Sequence, residues 1–386
     1  MRLRKEPTYV KRRQRGIAIV IATLILLIMA VVYIGYMRFD PPSTRDFVGT
    51  GNGEELTVEI PEGSSISALG TELEKLGVVK TNGAFQIAAN NNPDAASVKP
   101  GVYRVQKEMS AEAAVAALLD PANRVPSLAI PGGATLMDVK VVGGQTRLGV
   151  FRQISDATCE EGSTNCIQVS ELHKVAAETP PEELGVPDWA IPQVLARGPD
   201  PKRLEGLIAP GEYVINPKDD ARSLLTRLVT DSAKQYNKTG IVDRAQSVGL
   251  NPYELLTAAS LIEREAPRND FDKVARVILN RLHKPMRLEF DSTVNYDVAE
   301  QEIATTDEDR LKVTPWNTYA KDGLPETPIA SPSIEAIEAM EHPAEGEWLF
   351  FVTIDKDGTT VFNNTFEEHM RDTNQAIDNG VLDSNR

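Results

Sequence analysis

Two glutamates at the end of one apolar helix are the residues of this chain best suited to do chemistry. The stretch Asn251–Ala266 is NPYELLTAASLIEREA. Asn251 is a favourable N-cap, a proline follows it at the first helical position, and Glu254 stands where it can complete a capping box. The sequence therefore predicts a helix that carries Glu263 and Glu265 close to its carboxyl end.

Both glutamates border the side of this helix that we expect to be buried. Leu255, Ala259 and Ile262 follow one another at spacings of four and three, which places them on one helical face. At roughly 100° per residue, Glu263 and Glu265 lie about 80° to either side of that face. A carboxyl group that loses solvation has a raised pKa, which suits general acid catalysis near neutral pH. A solvated helix flank is the ordinary alternative, and the helix geometry does not choose between the two acids.

The sequence contains no other strong catalytic or metal-binding pattern. Its four histidines are dispersed, and HExxH, GxSxG and the glycine patterns of nucleotide sites are absent. Asp355–Gly358 resembles the start of an EF-hand loop, but Phe366 occupies the twelfth position, where calcium binding needs a glutamate. We therefore expect no metal and no cofactor, and carboxylate chemistry remains.

The distribution of charge indicates which partners to expect. The formal net charge is −15, and residues 1–15 carry +6 from seven basic residues against Glu6, so the rest of the chain carries −21. Nucleic-acid binding requires clustered Lys and Arg side chains that neutralise phosphates. A body this acidic is therefore not expected to bind nucleic acid.

An uncharged segment of 22 residues, Gly16–Met37, follows the basic tail. At 1.5 Å per residue a helix of this length is about 33 Å long, which is enough to cross a bilayer. The positive-inside rule places the basic end in the cytoplasm. We expect a single-pass anchor in the cell membrane with the rest of the chain outside the cytoplasm; a cleaved signal peptide is the alternative.

The two cysteines fit an extracytoplasmic location. Cys159 and Cys166 enclose the polar stretch EEGSTN. No histidine accompanies them and their spacing is not CxxC, so zinc binding and redox chemistry are disfavoured. A structural disulfide is the prediction.

Hydrophobic periodicity predicts an α+β protein. The module at 54–125 has the order strand, helix, helix, strand, helix, and its pattern leaves open whether it binds glycan or serves as a spacer. The predicted regions are a basic tail (1–15), a transmembrane anchor (16–37), a linker (38–53), the small α/β module (54–125), an intermediate region with the cysteine loop (126–245), a mixed α+β catalytic domain (246–376) and a flexible tail (377–386).

Six sequence blocks, beginning in the glutamate helix, occur in one order and resemble a known family. They are ASLIEREA (259–266), VILNRL (277–282), MRLEFDSTVNY (286–296), TPWNTY (314–319), GLPETPIASPS (323–333), and HPAEGEWLFFV (342–352) followed by FNNTFEEH (362–369). Together they resemble the YceG-like family of endolytic murein transglycosylases, which cleave nascent peptidoglycan strands at the membrane. The resemblance implies a LysM-like subdomain in the 54–125 module. It also implies peptidoglycan glycan strands as substrate and makes peptidoglycan synthases candidate partners.

For the chemistry, the resemblance implies one catalytic acid. The family's E-[KR]-E motif maps onto residues 263–265, and its second acid, Glu265, is the implied general acid and base, with Glu263 as a neighbouring or substrate-facing partner. The muramyl 6-hydroxyl is the nucleophile in such a reaction, so no second carboxylate is required. The implied substrate-binding residues are Asn280, Arg281, Asp291, Tyr296, Asn317, Thr318 and Tyr319, and Glu205 matches a further family block.

The chain departs from the family's pattern at two places. Where the family often has Pro-Asp-Thr-Tyr, this chain has Pro210-Gly211-Glu212-Tyr213, and Ser292 stands where proline is common. Two alternatives stay open. One is a peptidoglycan hydrolase that uses Glu265 with Asp291 or Glu263 as second carboxylate, and the other is a non-enzymatic wall-binding scaffold.

Overall fold

The computed structural model describes residues 20–35, 42–61, 64, 66–125, 127–159, 166–215, 219–298, 300–301 and 305–381. The predicted basic tail and the last residues of the predicted flexible tail, 382–386, lie outside the described residues. Of the predicted anchor, the described part is a helix, α1 (20–35), whose apolar side chains are exposed. Within the described residues, no helix combines the length and the apolarity needed to cross a bilayer.

The chain divides into two compact units, Met1–Val125 and Pro126–Arg386. In the first unit, strands β1 (Glu55–Ile60), β2 (Gly101–Gln106) and β3 (Arg124–Val125) form one antiparallel sheet in that order. Its helices are α2 (Ile66–Lys75), α3 (Asn82–Asn91) and α4 (Ala111–Leu119). The order of elements is the one that the periodicity of 54–125 predicts.

The second unit is mainly helical. Its helices are α5 (Val150–Thr158), α6 (Val169–Glu178), α7 (Ile191–Ala196), α8 (Ala221–Thr239), α9 (Ile241–Ser247), α10 (Pro252–Glu265), α11 (Phe271–His283), α12 (Asp291–Asn295), α13 (Asp307–Leu311), α14 (Ile334–Glu341) and α15 (Phe366–Asp378). Three small sheets accompany them: β4 (Ser127–Ile130) with β7 (Gly211–Val214), β6 (Gln145–Arg147) with β5 (Val139–Val141) and β8 (Glu300–Gln301), and the hairpin β9 (Phe350–Thr353) with β10 (Thr360–Asn363). The mixed α+β class is confirmed.

Helix α10 lies at the centre of the second unit and packs against α9, α11, α12 and α14. Every side chain from Leu255 to Ile262 is buried, so the expectation of one buried face is wrong: this part of the helix is buried on all sides. Two polar side chains tolerate this burial because their hydroxyl groups donate within the helix, Thr257 to the Tyr253 carbonyl and Ser260 to the Thr257 carbonyl. The core around α10 draws on residues from Leu128 to Met340, so the ranges 126–245 and 246–376 share it.

A disulfide joins Cys159 and Cys166 at the end of α5. The Thr158 hydroxyl accepts a hydrogen bond from the Ile167 amide, which also closes this loop. The loop residues 160–165 lie outside the described part of the chain. The disulfide ties the start of α6 to the end of α5.

Candidate functional site

The ends of helix α10 determine where its glutamates lie. At the start, the Asn251 side chain accepts from the Glu254 amide at 3.0 Å and the Glu254 carboxylate accepts from the Asn251 amide at 2.8 Å. This is the predicted capping box. At the other end the helix leaves the core after Ile262, so that Glu263, Arg264 and Glu265 are all partly exposed. The last turn of a buried helix thus places three ionisable groups at the edge of the core, where they are only partly exposed.

The carboxyl group of Glu265 has one oxygen engaged and one oxygen free. The Ser292 amide donates to Oε1 at 3.2 Å. The Ser292 hydroxyl lies close enough to this carboxyl group to lower its pKa, but among the described residues no group has full hydrogen-bond geometry with Oε2. Burial raises the pKa of Glu265, the Asp291 carboxylate raises it further, and Ser292 and Arg264 oppose the rise. A desolvated carboxyl group with a free oxygen can hold a proton near neutral pH and transfer it.

Glu263 has a different environment, although it is only two residues away. Its Oε2 accepts from the Ser333 amide at 3.0 Å and also from the Ser333 hydroxyl. Ser333 is the N-cap of α14. The other oxygen of Glu263, Oε1, lies close to Gly132: a Cβ atom added to this glycine would be 2.3 Å from it. Glu263 therefore fastens the start of α14 and a glycine turn to α10.

Arg264 lies against the same glycine turn. Its Nη1 is 3.4 Å from the Gly133 carbonyl oxygen. Gly133 has a φ of +74°, which a side chain would strain. Its amide donates to the Ser331 carbonyl at 2.9 Å. The sequence analysis missed this turn, because no local pattern shows that residues 132–133 meet a helix about 130 positions later.

Asp291 and Tyr319 lie beside Glu265. The Tyr319 hydroxyl donates to Asp291 Oδ1 at 2.9 Å, and Arg310 forms an ion pair with the same carboxylate at 3.1 Å. The Thr305 hydroxyl adds a third donor at 2.6 Å. These three partners fix the position of the Asp291 side chain near the candidate acid. Thr305 and Arg310 were not among the predicted site residues, since they lie in a polar stretch without a distinguishing spacing.

Asn280 and Arg281, both predicted substrate-binding residues, are engaged with the backbone. The Asn280 amide donates to the carbonyls of Gly346 and Trp348. Arg281 is 6% exposed and donates to the carbonyls of Leu349 and Leu288 and, more weakly, to that of Arg287. These two side chains therefore bind the backbone of residues 346–349, the segment that leads into the β9–β10 hairpin.

Asn317 and Thr318, also predicted substrate-binding residues, are buried as well. Asn317 is 1% exposed, and its amide donates to three backbone carbonyls between residues 309 and 312. The Thr318 hydroxyl accepts from the Phe290 amide at 3.0 Å and bonds the Thr293 hydroxyl at 2.9 Å. Both residues fix the loop that carries Tyr319, so their contribution in this structure is to shape the site.

Tyr296 faces away from Glu265 and bonds a second buried acid. Its hydroxyl donates to Glu205 Oε2 at 2.8 Å, and the Leu136 amide donates to Oε1 of the same carboxyl at 3.1 Å. Glu205 is 1% exposed, and this burial raises its pKa to about 7. Glu205 borders a cavity of about 330 Å³ that Lys202 also lines. The Glu205–Tyr296 bond links the 201–206 turn to the end of α12.

We expect Glu205→Gln to change how stability depends on pH. The folded chain keeps the Glu205 proton up to about pH 7, whereas an unfolded chain loses it near pH 4.5. The contribution of this residue to stability is therefore present at low pH, and it is lost as the pH rises from 4.5 to about 7. Relative to Glu205→Gln, the wild-type free energy of unfolding should fall by about 3 kcal/mol between those values. Urea denaturation followed by tryptophan fluorescence measures it, and parallel pH curves for the two proteins would contradict the assignment.

No cluster of histidine, cysteine, aspartate and glutamate side chains suited to a metal ion occurs among the described residues. Within that part of the chain, the groups that surround the Glu265 carboxyl include the Asp291 carboxylate, Tyr319, Ser292 and the guanidinium groups of Arg264 and Arg281. Such a set can transfer protons at a sugar's glycosidic oxygen.

The chain is similar to known proteins over most of its length. Residues 58–375 match the YceG-like family. An endolytic murein transglycosylase of Streptococcus pneumoniae is 29% identical over 336 residues, which are 83% of this chain and 58% of that protein. One of Bacillus subtilis is 27% identical over 322 residues, which are 82% of this chain and 83% of that protein. The chain thus matches less than two thirds of the length of the S. pneumoniae relative.

A solved structure shows the same fold. The crystal structure of a yceG-like protein from Listeria monocytogenes is 28% identical in sequence, with a TM-score of 0.54, and the match covers 83% of this chain and 99% of that one. The match to the family extends over both compact units and includes helix α10 with its two glutamates. This chain belongs to the YceG-like family.

Proposed function

We propose that this protein is an endolytic murein transglycosylase with Glu265 as its general acid and base. The observation that carries the proposal is the state of the Glu265 carboxyl: it is desolvated, it has a raised pKa, and one of its oxygens is free. The names of the relatives from S. pneumoniae and B. subtilis give the reaction. Glu263 is a poorer candidate, because its Oε2 accepts two hydrogen bonds from Ser333 and its Oε1 lies close against Gly132.

The proposed reaction needs one acid. Protonated Glu265 gives its proton to the glycosidic oxygen between MurNAc and GlcNAc, and the bond from that oxygen to C1 of MurNAc breaks. The 6-hydroxyl of the same MurNAc attacks C1, and its proton passes to the Glu265 carboxylate, which restores the acid. No water is consumed, and the product ends in 1,6-anhydroMurNAc.

The first unit would hold the glycan strand. A groove of about 530 Å³ in this unit is lined by Ile60, Leu69 and the 89–98 segment, including Asn90 and Asn92. Apolar side chains beside amides suit the faces and hydroxyl groups of sugars. This supports a LysM-like, glycan-binding role for the module.

The membrane location is likewise a proposal. The uncharged segment Gly16–Met37 after a tail of charge +6 supports a single-pass anchor with its amino terminus in the cytoplasm. An anchored enzyme would meet glycan strands as they emerge, with peptidoglycan synthases as its neighbours. Fusing a reporter active only outside the cytoplasm to the carboxyl terminus tests this orientation: activity is expected, and its absence would reverse it.

Mass spectrometry of the reaction products tests the function. The protein is incubated with uncrosslinked glycan strands, and new ends lighter by one water than hydrolysed ends are expected. A hydrolase, which the nearby Asp291 carboxylate favours as the second candidate, would give ends that include the added water. A wall-binding scaffold would bind the strands and produce no new ends, and either result would overturn the proposal.

A further inference from the structure

We propose that Ser292 is the positioning residue of the catalytic acid: it anchors one oxygen of Glu265 and leaves the other oxygen to transfer the proton. This inference rests on the function proposed above and deepens it. It assigns a role to a residue at which this chain departs from the proline that is common in the family's motif.

The first observation is the bond from the Ser292 backbone. Ser292 lies in the first turn of α12, where amides have no partner within the helix. Its amide donates to Glu265 Oε1 at 3.2 Å. A backbone donor has a fixed direction, so it sets the orientation of the carboxyl group. Because this amide holds Oε1, Oε2 is the oxygen that faces a substrate.

The second observation is the Ser292 hydroxyl. Its oxygen is buried and, within the described residues, meets no partner in full hydrogen-bond geometry. It lies close enough to the same carboxyl group to lower the pKa of Glu265. Buried polar atoms without a partner are rare and costly. A hydroxyl hydrogen can rotate to suit its neighbour, so this group can donate to Glu265 when the residue becomes a carboxylate during the reaction.

The third observation is that α12 is held firmly in place. The Thr293 hydroxyl donates to the Phe290 carbonyl at 2.6 Å and bonds the Thr318 hydroxyl at 2.9 Å. At the other end of the helix, Tyr296 bonds buried Glu205. Ser292 is therefore presented by a fixed element, as positioning requires.

Four ionisable groups act on Glu265 alongside Ser292. Asp291, which lies in α12, disfavours the ionised form of Glu265, and Tyr319 lies near Glu265 in a separate loop. Arg264 on α10 and Arg281 on α11 favour the carboxylate. Ser292 is the neutral member of this set, so replacing it leaves all four groups and the net charge unchanged.

The test is a set of substitutions at Ser292 in the full chain. Ser292→Ala removes the hydroxyl group, and Ser292→Pro removes both the hydroxyl group and the amide donor. Ser292→Thr keeps both donors. The pKa of Glu265 is read by ¹³C NMR titration of glutamate-labelled protein, with Glu265→Gln identifying its resonance. The pH dependence of kcat/KM for glycan cleavage is measured on the same proteins, because it reports the pKa of the free enzyme.

We expect Ser292→Ala to move the pKa of Glu265 upward by about one pH unit, since a hydrogen bond to the charged form is lost. The alkaline limb of kcat/KM should move upward by the same amount, because the reaction begins with the protonated acid. Ser292→Pro should move both at least as far, and Ser292→Thr should return them towards the wild-type positions.

Ser333→Ala is the matched control. Ser333 also donates its amide and hydroxyl to a glutamate of α10, but to Glu263. Its loss should leave the Glu265 titration unchanged. Wild-type titration of Glu265 in both Ser292→Ala and Ser292→Pro would overturn the inference. The NMR readout does not require turnover, so a chain that failed to cleave glycan would refute the proposed function while the titration still decided the role of Ser292.

Discussion

Glu265→Gln should lower the rate of glycan cleavage by about a thousandfold, which is the usual scale for the loss of a general acid. Glutamine is nearly isosteric with glutamate and its oxygen can still accept from the Ser292 amide, so the fold should persist. It cannot donate a proton to the glycosidic oxygen. Quantifying anhydro-ended products under saturating substrate measures the loss, and unchanged tryptophan fluorescence in urea confirms the fold.

Glu263→Gln is the control that separates the two acids. Its carboxylate accepts from Ser333 at the start of α14, and the glutamine oxygen can keep one of those bonds. We expect a loss of activity below about tenfold together with a measurable loss of stability. If instead Glu263→Gln abolished cleavage while Glu265→Gln retained it, the assignment of the catalytic acid would be reversed.

Arg281→Met should destabilise the second unit by about 3–5 kcal/mol, the scale expected when a buried charge network loses one partner. The arginine donates to buried backbone carbonyls, including that of Leu349, and its guanidinium lies 5.2 Å from the centre of the Phe350 ring. Methionine retains the apolar stem and leaves those carbonyls without a donor. Urea denaturation followed by tryptophan fluorescence measures the change, because all three tryptophans are in the second unit.

Arg287→Met is the matched control for this prediction. Arg287 also donates to a backbone carbonyl, that of Tyr319, and pairs with Asp322, but half of its side chain is exposed and Asp322 is 90% exposed. Exposed pairs contribute little to stability, so a change below about 1 kcal/mol is expected. Similar losses for the two substitutions would show that burial is not what makes Arg281 important.

Local sequence patterns predicted the elements that follow from neighbouring residues. The capping box of α10 depends on Asn251 and Glu254, which are three positions apart, so its geometry could be read from the chain. The same holds for the order of strand, helix, helix, strand and helix in the 54–125 module. Burial on all sides of α10 could not be read, because it depends on helices that arrive from distant segments.

Of the predicted substrate-binding residues, Asp291 and Tyr319 lie beside Glu265, whereas Asn280, Asn317 and Thr318 are engaged within the protein. A sequence block shows that a residue belongs to the site region, but not whether its side chain faces the ligand or the backbone behind it. The direction of a side chain is decided by packing. The sequence blocks therefore predict which segments come together, but not which side chains contact one another.

The sequence by itself determined that one helix brings Glu263 and Glu265 to its end, and it left them equivalent on either side of the expected buried face. The resemblance to the family pointed to Glu265, but only the tertiary structure shows how the surroundings of the two acids differ. Ser333, which is 70 residues from Glu263, donates two hydrogen bonds to one oxygen of that acid, while Ser292, which is 27 residues from Glu265, donates its amide to one oxygen of the other. The proton affinity of a carboxyl group depends on the donors and the solvent around it, and here those donors come from segments that only folding brings to the helix.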